Sequence, residues 1–298
     1  QLGIPHYVVN LEKEFDKAVI QDFIKGYTNG LTPNPCIRCN QIIKYDYLLK
    51  KVELLGADKL VTGHYARIYH QKDKSGTIIG HHLLRGLDPL KDQSYFLYNL
   101  TQSQLEHIEF PIGELRKTET RKIAKKFNLI TANKTESQDI CFVTTNVQDF
   151  LSNRIKQSPG NIVNSVGEIC GTHKGLANYT IGQRKGLGGG FSKIMYVIGV
   201  DKSRNEIIIG PEEELYRSSL VVDNPHWILK APDFPLSCSA KIRYASEASE
   251  CIIRISETNK STIIVDFRSL QKAITPGQSI VFYDKDEVIG GGVIASFA

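Results

Sequence analysis

At Ser158-Pro159-Gly160 the chain changes character, and this break constrains its architecture more than any other feature. Upstream, apolar residues recur at helical spacing. Downstream, short β-branched runs alternate with Gly, Pro, Asn and Ser. A helix buries a stripe of period 3.6 and a strand a face of period 2, so such a chain predicts an α/β part followed by small all-β parts. At 298 residues it exceeds one ordinary core, which implies two or three domains.

Leu11, Phe15, Val19, Phe23 and Ile24 predict an amphipathic helix over 11–25. Gly26 opens the loop GYTNGLTPNP, and a second helix is expected from Asn40 to Leu55, closed by Gly56. The run Lys59–Tyr69 predicts one buried strand; helix followed by strand belongs to an α/β layer with a parallel sheet. After a turn at Lys72–Gly76, helices are expected at Ser94–Leu100, Gln102–His107, Lys117–Phe127 and in VQDFLSNRI. Beyond the break, IMYVIGV, NEIIIG, IIVDF and SIVFYD predict strands of small β domains or barrels. A linker around Pro211–Arg217 divides this half, giving expected domains at 1–155, 156–213 and 214–298.

The net charge of +5 permits a polyanionic partner such as RNA without requiring one. No apolar run reaches the roughly 18 residues of a membrane helix, so no membrane span is expected. Six cysteines (Cys36, Cys39, Cys141, Cys170, Cys238 and Cys251) sit in a chain too large to need disulfides for stability. That composition predicts a reducing, cytoplasmic setting.

Cys36 and Cys39 form a CxxC within PNPCIRCN, and three readings stay open. It is half a zinc site, although no second CxxC or HxxxH supplies the other ligands. It is a thioredoxin-like pair, although that motif normally follows a strand. Or it holds a reactive thiol: Cys39 immediately precedes the expected helix start at Asn40, and Arg38 and Lys44 add positive charge, all of which favour a thiolate. Cys141, in ESQDICF, reads most simply as a buried cysteine beside Ile140 and Phe142. Cys170, Cys238 and Cys251 are expected to be structural. The Gly-rich RKGLGGG at Arg184–Gly190 reads as a loop.

Taken in order, TPNPCIRCN, LGADKLVTGHYAR, LKDQSYFLYNL, ESQDICFV, YTIGQRKGLG, IRY and TPGQSIVFYD resemble the tRNA-specific 2-thiouridylase family from Thr32 to Asp284. The resemblance implies a Rossmann-like pyrophosphatase-loop nucleotide domain, a small central domain and a C-terminal β-barrel that binds tRNA. It implies adenylation of the C2 oxygen of a wobble uridine by ATP, with Mg accompanying it, and no resident metal. Sulfur then arrives as a cysteine persulfide from a donor protein. By position, Cys141 matches the persulfide carrier and Cys39 its partner nucleophile, the two passing through a disulfide. Asn34, Pro35 and Cys36 match the loop that meets the target base, and Gly63 a nucleotide contact. His64, Lys91, Asp92, Gln93, Arg243, Tyr244 and Gln278 match tRNA contacts.

Two departures from the pattern stand out. Some family members carry Asp where this chain has Cys36. The SGGxDS loop that cradles ATP phosphates is expected upstream of Gln1, and Met195 is the sole methionine. Activity is therefore expected of the complete protein and not of these residues alone. The rival classes are an amidating synthetase of the same nucleotide-binding type, a non-catalytic RNA-binding module and a zinc protein.

Overall fold

A computed structural model describes residues 3–134, 140–191 and 193–297. Helix α1 runs over 12–28 and contains a wider π-type turn at Asp16–Ile20. Helix α2 runs over 35–54, with a π-type middle at Cys39–Leu48. It begins at Pro35, five residues before the expected start. Asn34 is the cap: its side-chain oxygen accepts a hydrogen bond from the Cys36 N–H. Proline is well placed at the first helical position, where its missing N–H costs nothing.

The expected strand over 59–69 is two strands. β1 (Leu60–Val61) pairs in parallel with β4 (Ile108–Glu109), which gives the α/β layer its parallel ladder. The chain then turns through Gly63 and His64 before β2 (Ala66–Lys72), which forms an antiparallel hairpin with β3 (Ile78–Arg85). The helices α3 (Gln102–Glu106), α4 (Lys117–Lys126) and α5 (Val147–Ser152) follow the predicted order. The Ser94 segment is a single 3-10 turn, Ser94–Leu97.

Past residue 158 the chain is β-rich. Strands β5 (Gly160–Asn164), β6 (Ile169–His173), β7 (Tyr196–Asp201) and β8 (Glu206–Gly210) form a four-stranded sheet in the order β6-β5-β8-β7. The last part holds β9 (Tyr216–Trp227), β10 (Leu236–Lys241), β11 (Ser249–Ile255), β12 (Thr262–Lys272), β13 (Ser279–Asp284) and β14 (Glu287–Phe297). They run β13-β10-β11-β12-β9-β14, and the β13–β14 pairing closes them into a barrel. The fold is α/β followed by a small β domain and a β-barrel.

The barrel sheet does not end at its own strands. β14 also pairs with β3, aligning Glu287 with Leu84 and Val288 with Leu83, so the β2–β3 hairpin extends the barrel from the first domain. The core follows the sheet: Tyr45, Leu83, Tyr95, Leu97 and Leu105 pack in one cluster with Val281, Tyr283 and Val288. Burial of this size, at about 1.5–3 kcal/mol for each large side chain, fixes the barrel against the α/β layer. A second cluster joins Phe23 and Tyr27 of α1 to Leu151 of α5 and Ala177 of the central domain. No helix among the described residues is long and apolar enough to cross a membrane.

Candidate active site

A cleft of about 730 Å³ opens where α2, the turn after β1 and the barrel converge. Cys36, Cys39 and Cys141 all line it, with Lys44, Gly63, His64, Lys91, Gln93, Lys117 and Tyr244. All six cysteines are free. Cys36 and Cys39 lie one turn apart on α2, where the Cys39 N–H bonds back to the Cys36 carbonyl.

Cys141 arrives from the other wall. The reading of it as a buried core residue is overturned, because it is exposed. Its neighbour Phe142 does the packing, with ring centroids 5.8 Å from Phe15, 5.4 Å from Phe23 and 5.4 Å from Phe150. One aromatic side chain thus anchors this segment to α1 and leaves the adjacent thiol facing the cleft. The preceding Glu136, Ser137, Gln138 and Asp139 of the ESQDICF string lie outside the described residues.

The electrostatics correct a second expectation. Both thiols of the CxxC are held above the ordinary cysteine range rather than below it. For Cys36 the main cause is desolvation by the cleft walls, then the nearby charge of a Cys141 thiolate, with Lys44 opposing both. For Cys39 desolvation again leads, Lys44 opposes it, and Cys141 and Cys36 add to it. The helix start that was to activate Cys39 lies at Asn34, so Cys36, not Cys39, occupies the first turn. Cys39 feels both other thiols and Cys36 feels Cys141, so the three share one electrostatic neighbourhood.

His64 sits behind this cluster, 8 % exposed. Its Nδ1 lies 2.8 Å from Thr62 Oγ1 and 2.9 Å from the Tyr45 hydroxyl, and its Nε2 lies 3.4 Å from Lys44 Nζ. An ammonium only donates, so Nε2 accepts and Nδ1 carries the proton toward the hydroxyls. Burial, and secondarily Lys44, pushes the imidazole down to about 3. A neutral His64 therefore holds the ammonium of Lys44, which lines the same cleft as the thiols.

The remaining residues picked out by the resemblance divide. Lys91 and Gln93 reach the cleft, and Gln93 also accepts from the Tyr65 N–H at 3.0 Å. Tyr244 comes from the β10–β11 loop and packs its ring 4.5 Å from Phe96 on the cleft wall. Pro35 lines the cleft too, while Asn34 is spent on capping α2. Asp92 does not fit its expected part: it is 7 % exposed and accepts from Gly86 N–H, Ser94 N–H and the Ser94 hydroxyl. Its carboxylate organises the turn that carries Lys91 and Gln93. Arg243 donates to the Lys272 carbonyl at 3.1 Å, and Gln278 donates to the Thr32 carbonyl at 2.7 Å. Both contacts are internal.

Gly63 is bare for no reason internal to the fold. A Cβ there would meet only Ile112 Cδ1, at 3.7 Å. Its exposed backbone suits close approach by a ligand at the end of β1, where α/β sheets bind theirs. Residues that sequence reasoning passed over are Phe96, Lys117 and Phe142. Phe96 lies inside the LKDQSYF string, and an aromatic beside a polar run was the available signal. Among the described residues no three His, Cys, Asp or Glu side chains are grouped to hold a metal ion.

Comparison with known proteins agrees with this architecture. The family model described as the tRNA methyl transferase HUP domain matches residues 1–145. The tRNA methyl transferase PRC-barrel domain matches 148–211, and the aminomethyltransferase beta-barrel domain matches 217–294. The tRNA-specific 2-thiouridylase MnmA of Geobacter metallireducens is 47% identical over 297 residues, covering 99% of this chain and 79% of that protein. That of Magnetococcus marinus is 46% identical, covering 98% and 81%. One from Caldanaerobacter subterraneus is 44% identical, covering 98% and 80%. Identity at this level, over nearly the whole chain and all three domains, makes the chain a member of the tRNA-specific 2-thiouridylase family of sulfurtransferases.

Proposed function

We propose that the complete protein replaces the C2 oxygen of a wobble uridine in tRNA with sulfur, consuming ATP and a cysteine persulfide. The observation that carries this reading is that Cys39 and Cys141, far apart in sequence, line one cleft with Lys44 and Tyr244. A thiol pair in one cleft is what sulfur relay needs; adenylation of a small molecule needs neither thiol.

ATP, with Mg²⁺, would supply an adenylyl group that makes the C2 oxygen a leaving group. Gly63 offers bare backbone to the nucleotide, and Lys44, Lys91 and Lys117 line the same cleft with positive charge suited to phosphates. Tyr244 and Phe96 offer aromatic faces to an everted base, since chemistry on a base requires leaving the stack.

Cys141, exposed at the cleft wall, accepts the sulfane sulfur from a donor protein. The terminal sulfur bonds to C2 and AMP leaves with the former C2 oxygen. The Cys39 thiolate then attacks Cys141 Sγ, the bond between the two sulfurs of the persulfide breaks, and the electron pair stays with the sulfur on C2. A Cys39–Cys141 disulfide remains. Two electrons from an external dithiol restore both thiols.

Mass spectrometry of tRNA after incubation with the full-length protein, ATP and a persulfide donor tests the reading. Oxygen-to-sulfur exchange is expected, and its loss in Cys39→Ser and Cys141→Ser. Undiminished thiolation by Cys141→Ser would overturn the assignment.

A further inference from the structure

The reaction just described leaves a problem that its two cysteines do not solve. Once Cys39 and Cys141 are joined, Cys141 cannot accept another sulfur until that bond is broken. A third thiol stands in the same cleft: Cys36 is exposed, one helical turn from Cys39, and electrostatically coupled to Cys141. We infer that Cys36 is the resolving thiol, which moves the disulfide off Cys141 and onto the CxxC. The inference rests on the sulfur-transfer reading above.

The exchange balances without any other reactant. The Cys36 thiolate attacks Cys39 Sγ, the Cys36–Cys39 bond forms as the Cys39–Cys141 bond breaks, and the electron pair leaves on Cys141 as thiolate. No net oxidation occurs. Cys141 is then ready for the next persulfide, and a dithiol reductant from solution opens the CxxC disulfide.

Geometry favours Cys36 over a solvent thiol. Held one turn from its target, it attacks at the high effective concentration of an intramolecular group. Residues three apart on a helix have Cβ atoms about 5–6 Å apart. A disulfide brings them to about 4 Å, so the turn must tighten by about 1 Å or more. That turn is the first of α2, opened by the Asn34 cap and the fixed φ of Pro35. A first turn yields more readily than one hydrogen-bonded above and below. Lys44, which opposes the upward shift of both CxxC thiols, supports the attacking thiolate. Cys170 on β6 and the cross-strand pair Cys238 and Cys251 do not line this cleft and cannot substitute.

The test follows disulfides directly, in the full-length protein. The protein is oxidised with one equivalent of diamide, quenched with iodoacetamide at intervals, and mapped as non-reduced peptides. In the wild type, peptides joined through Cys39–Cys141 are expected to give way to Cys36–Cys39 until the latter dominate at least fivefold. In Cys36→Ser the Cys39–Cys141 form is expected to persist, and in Cys141→Ser Cys36–Cys39 is expected to be the one disulfide formed by the cleft cysteines. A Cys39–Cys141 bond as long-lived in the wild type as in Cys36→Ser would overturn the inference. So would a Cys36 that remains fully alkylated. Thiolation of tRNA is measured in parallel; its absence would sink the sulfur-transfer reading, while the peptide map still decides the exchange.

Discussion

The side-chain amide of Gln278 donates a 2.7 Å hydrogen bond to the carbonyl of Thr32, tying the barrel to the loop that leads into the CxxC. The reverse link is also made: the Thr32 N–H donates to the Pro276 carbonyl at 3.0 Å. Between them stands Gly277, with φ +90°, where any Cβ would lie 2.8 Å from Leu31 Cβ and from Thr32 N. Only glycine allows that approach. The barrel thus holds the thiol-bearing loop in place through residues 276–278.

Removing the clamp has a local readout. Gln278→Ala is expected to cost about 1 kcal/mol, the net worth of a part-buried hydrogen bond. Amide hydrogen exchange over residues 30–39 is expected to accelerate in that variant, with strands elsewhere in the barrel unaffected. Unchanged exchange in that stretch would show that Gln278 does not restrain the loop.

His64 sets a pH dependence of stability. Its folded value, about 3, lies below the ordinary 6.5 of an unfolded histidine. Between those values the unfolded chain binds a proton that the folded chain refuses. The stabilising effect is therefore complete above about pH 6.5 and is lost as pH falls toward 3. Within that window the loss attributable to His64 approaches about 1.4 kcal/mol per pH unit. Urea unfolding at pH 7, 5.5 and 4.5 should show a shallower decline for His64→Gln than for the wild type. Parallel declines would mean that the imidazole titrates normally in the folded protein.

What could be read from the sequence follows the range of the interactions involved. The helices of the first part and the strands past Pro159 are local patterns, set by spacing and turn residues, and they were legible. The start of α2 was misplaced because Asn34-Pro35 reads equally as loop or as cap plus first helical residue, and only the downstream hydrogen bonds decide. The run from Lys59 to Tyr69 looked continuous because apolar character does not reveal pairing. Its first half pairs with Ile108 and Glu109, and its second half joins a barrel that begins about 150 residues later. The cysteines were legible as chemistry, but the meeting of Cys39 and Cys141 was expected only through the family resemblance and not from local pattern. It depends on Phe142 packing into Phe15 and Phe23, a tertiary contact that no local spacing encodes.

Tyr244 is expected to act through its ring. It is 38 % exposed, packs against Phe96, and projects from the barrel into the cleft of the first domain. Stacking of a base on an aromatic face is worth about 1–3 kcal/mol by alanine substitution. Tyr244→Ala should therefore weaken tRNA binding about tenfold or more, measured by filter binding at fixed salt, and Tyr244→Phe should bind as the wild type does. Equal losses in both variants would assign the effect to the hydroxyl instead.

Lys44 is a cleft cation that opposes the upward shift of both CxxC thiols. Desolvation raises Cys36 and Cys39, and Lys44 lowers both. Because the net direction is upward, the thiolate fraction at pH 8 is smaller than for a solvent-exposed cysteine, and reactivity should climb with pH past the ordinary thiol range. Lys44→Gln removes the favourable charge while leaving a side chain that can still donate to His64. A charge interaction of about 1 kcal/mol near a surface corresponds to a several-fold change in thiolate fraction. Iodoacetamide labelling of Cys39 at pH 8 should therefore slow about three- to tenfold in Lys44→Gln, and most of the difference should vanish once the pH is high enough to ionise the thiol in both proteins. A variant that labels as fast as the wild type at pH 8 would mean that the ammonium, although it lines the cleft, is too well screened to act on the sulfur.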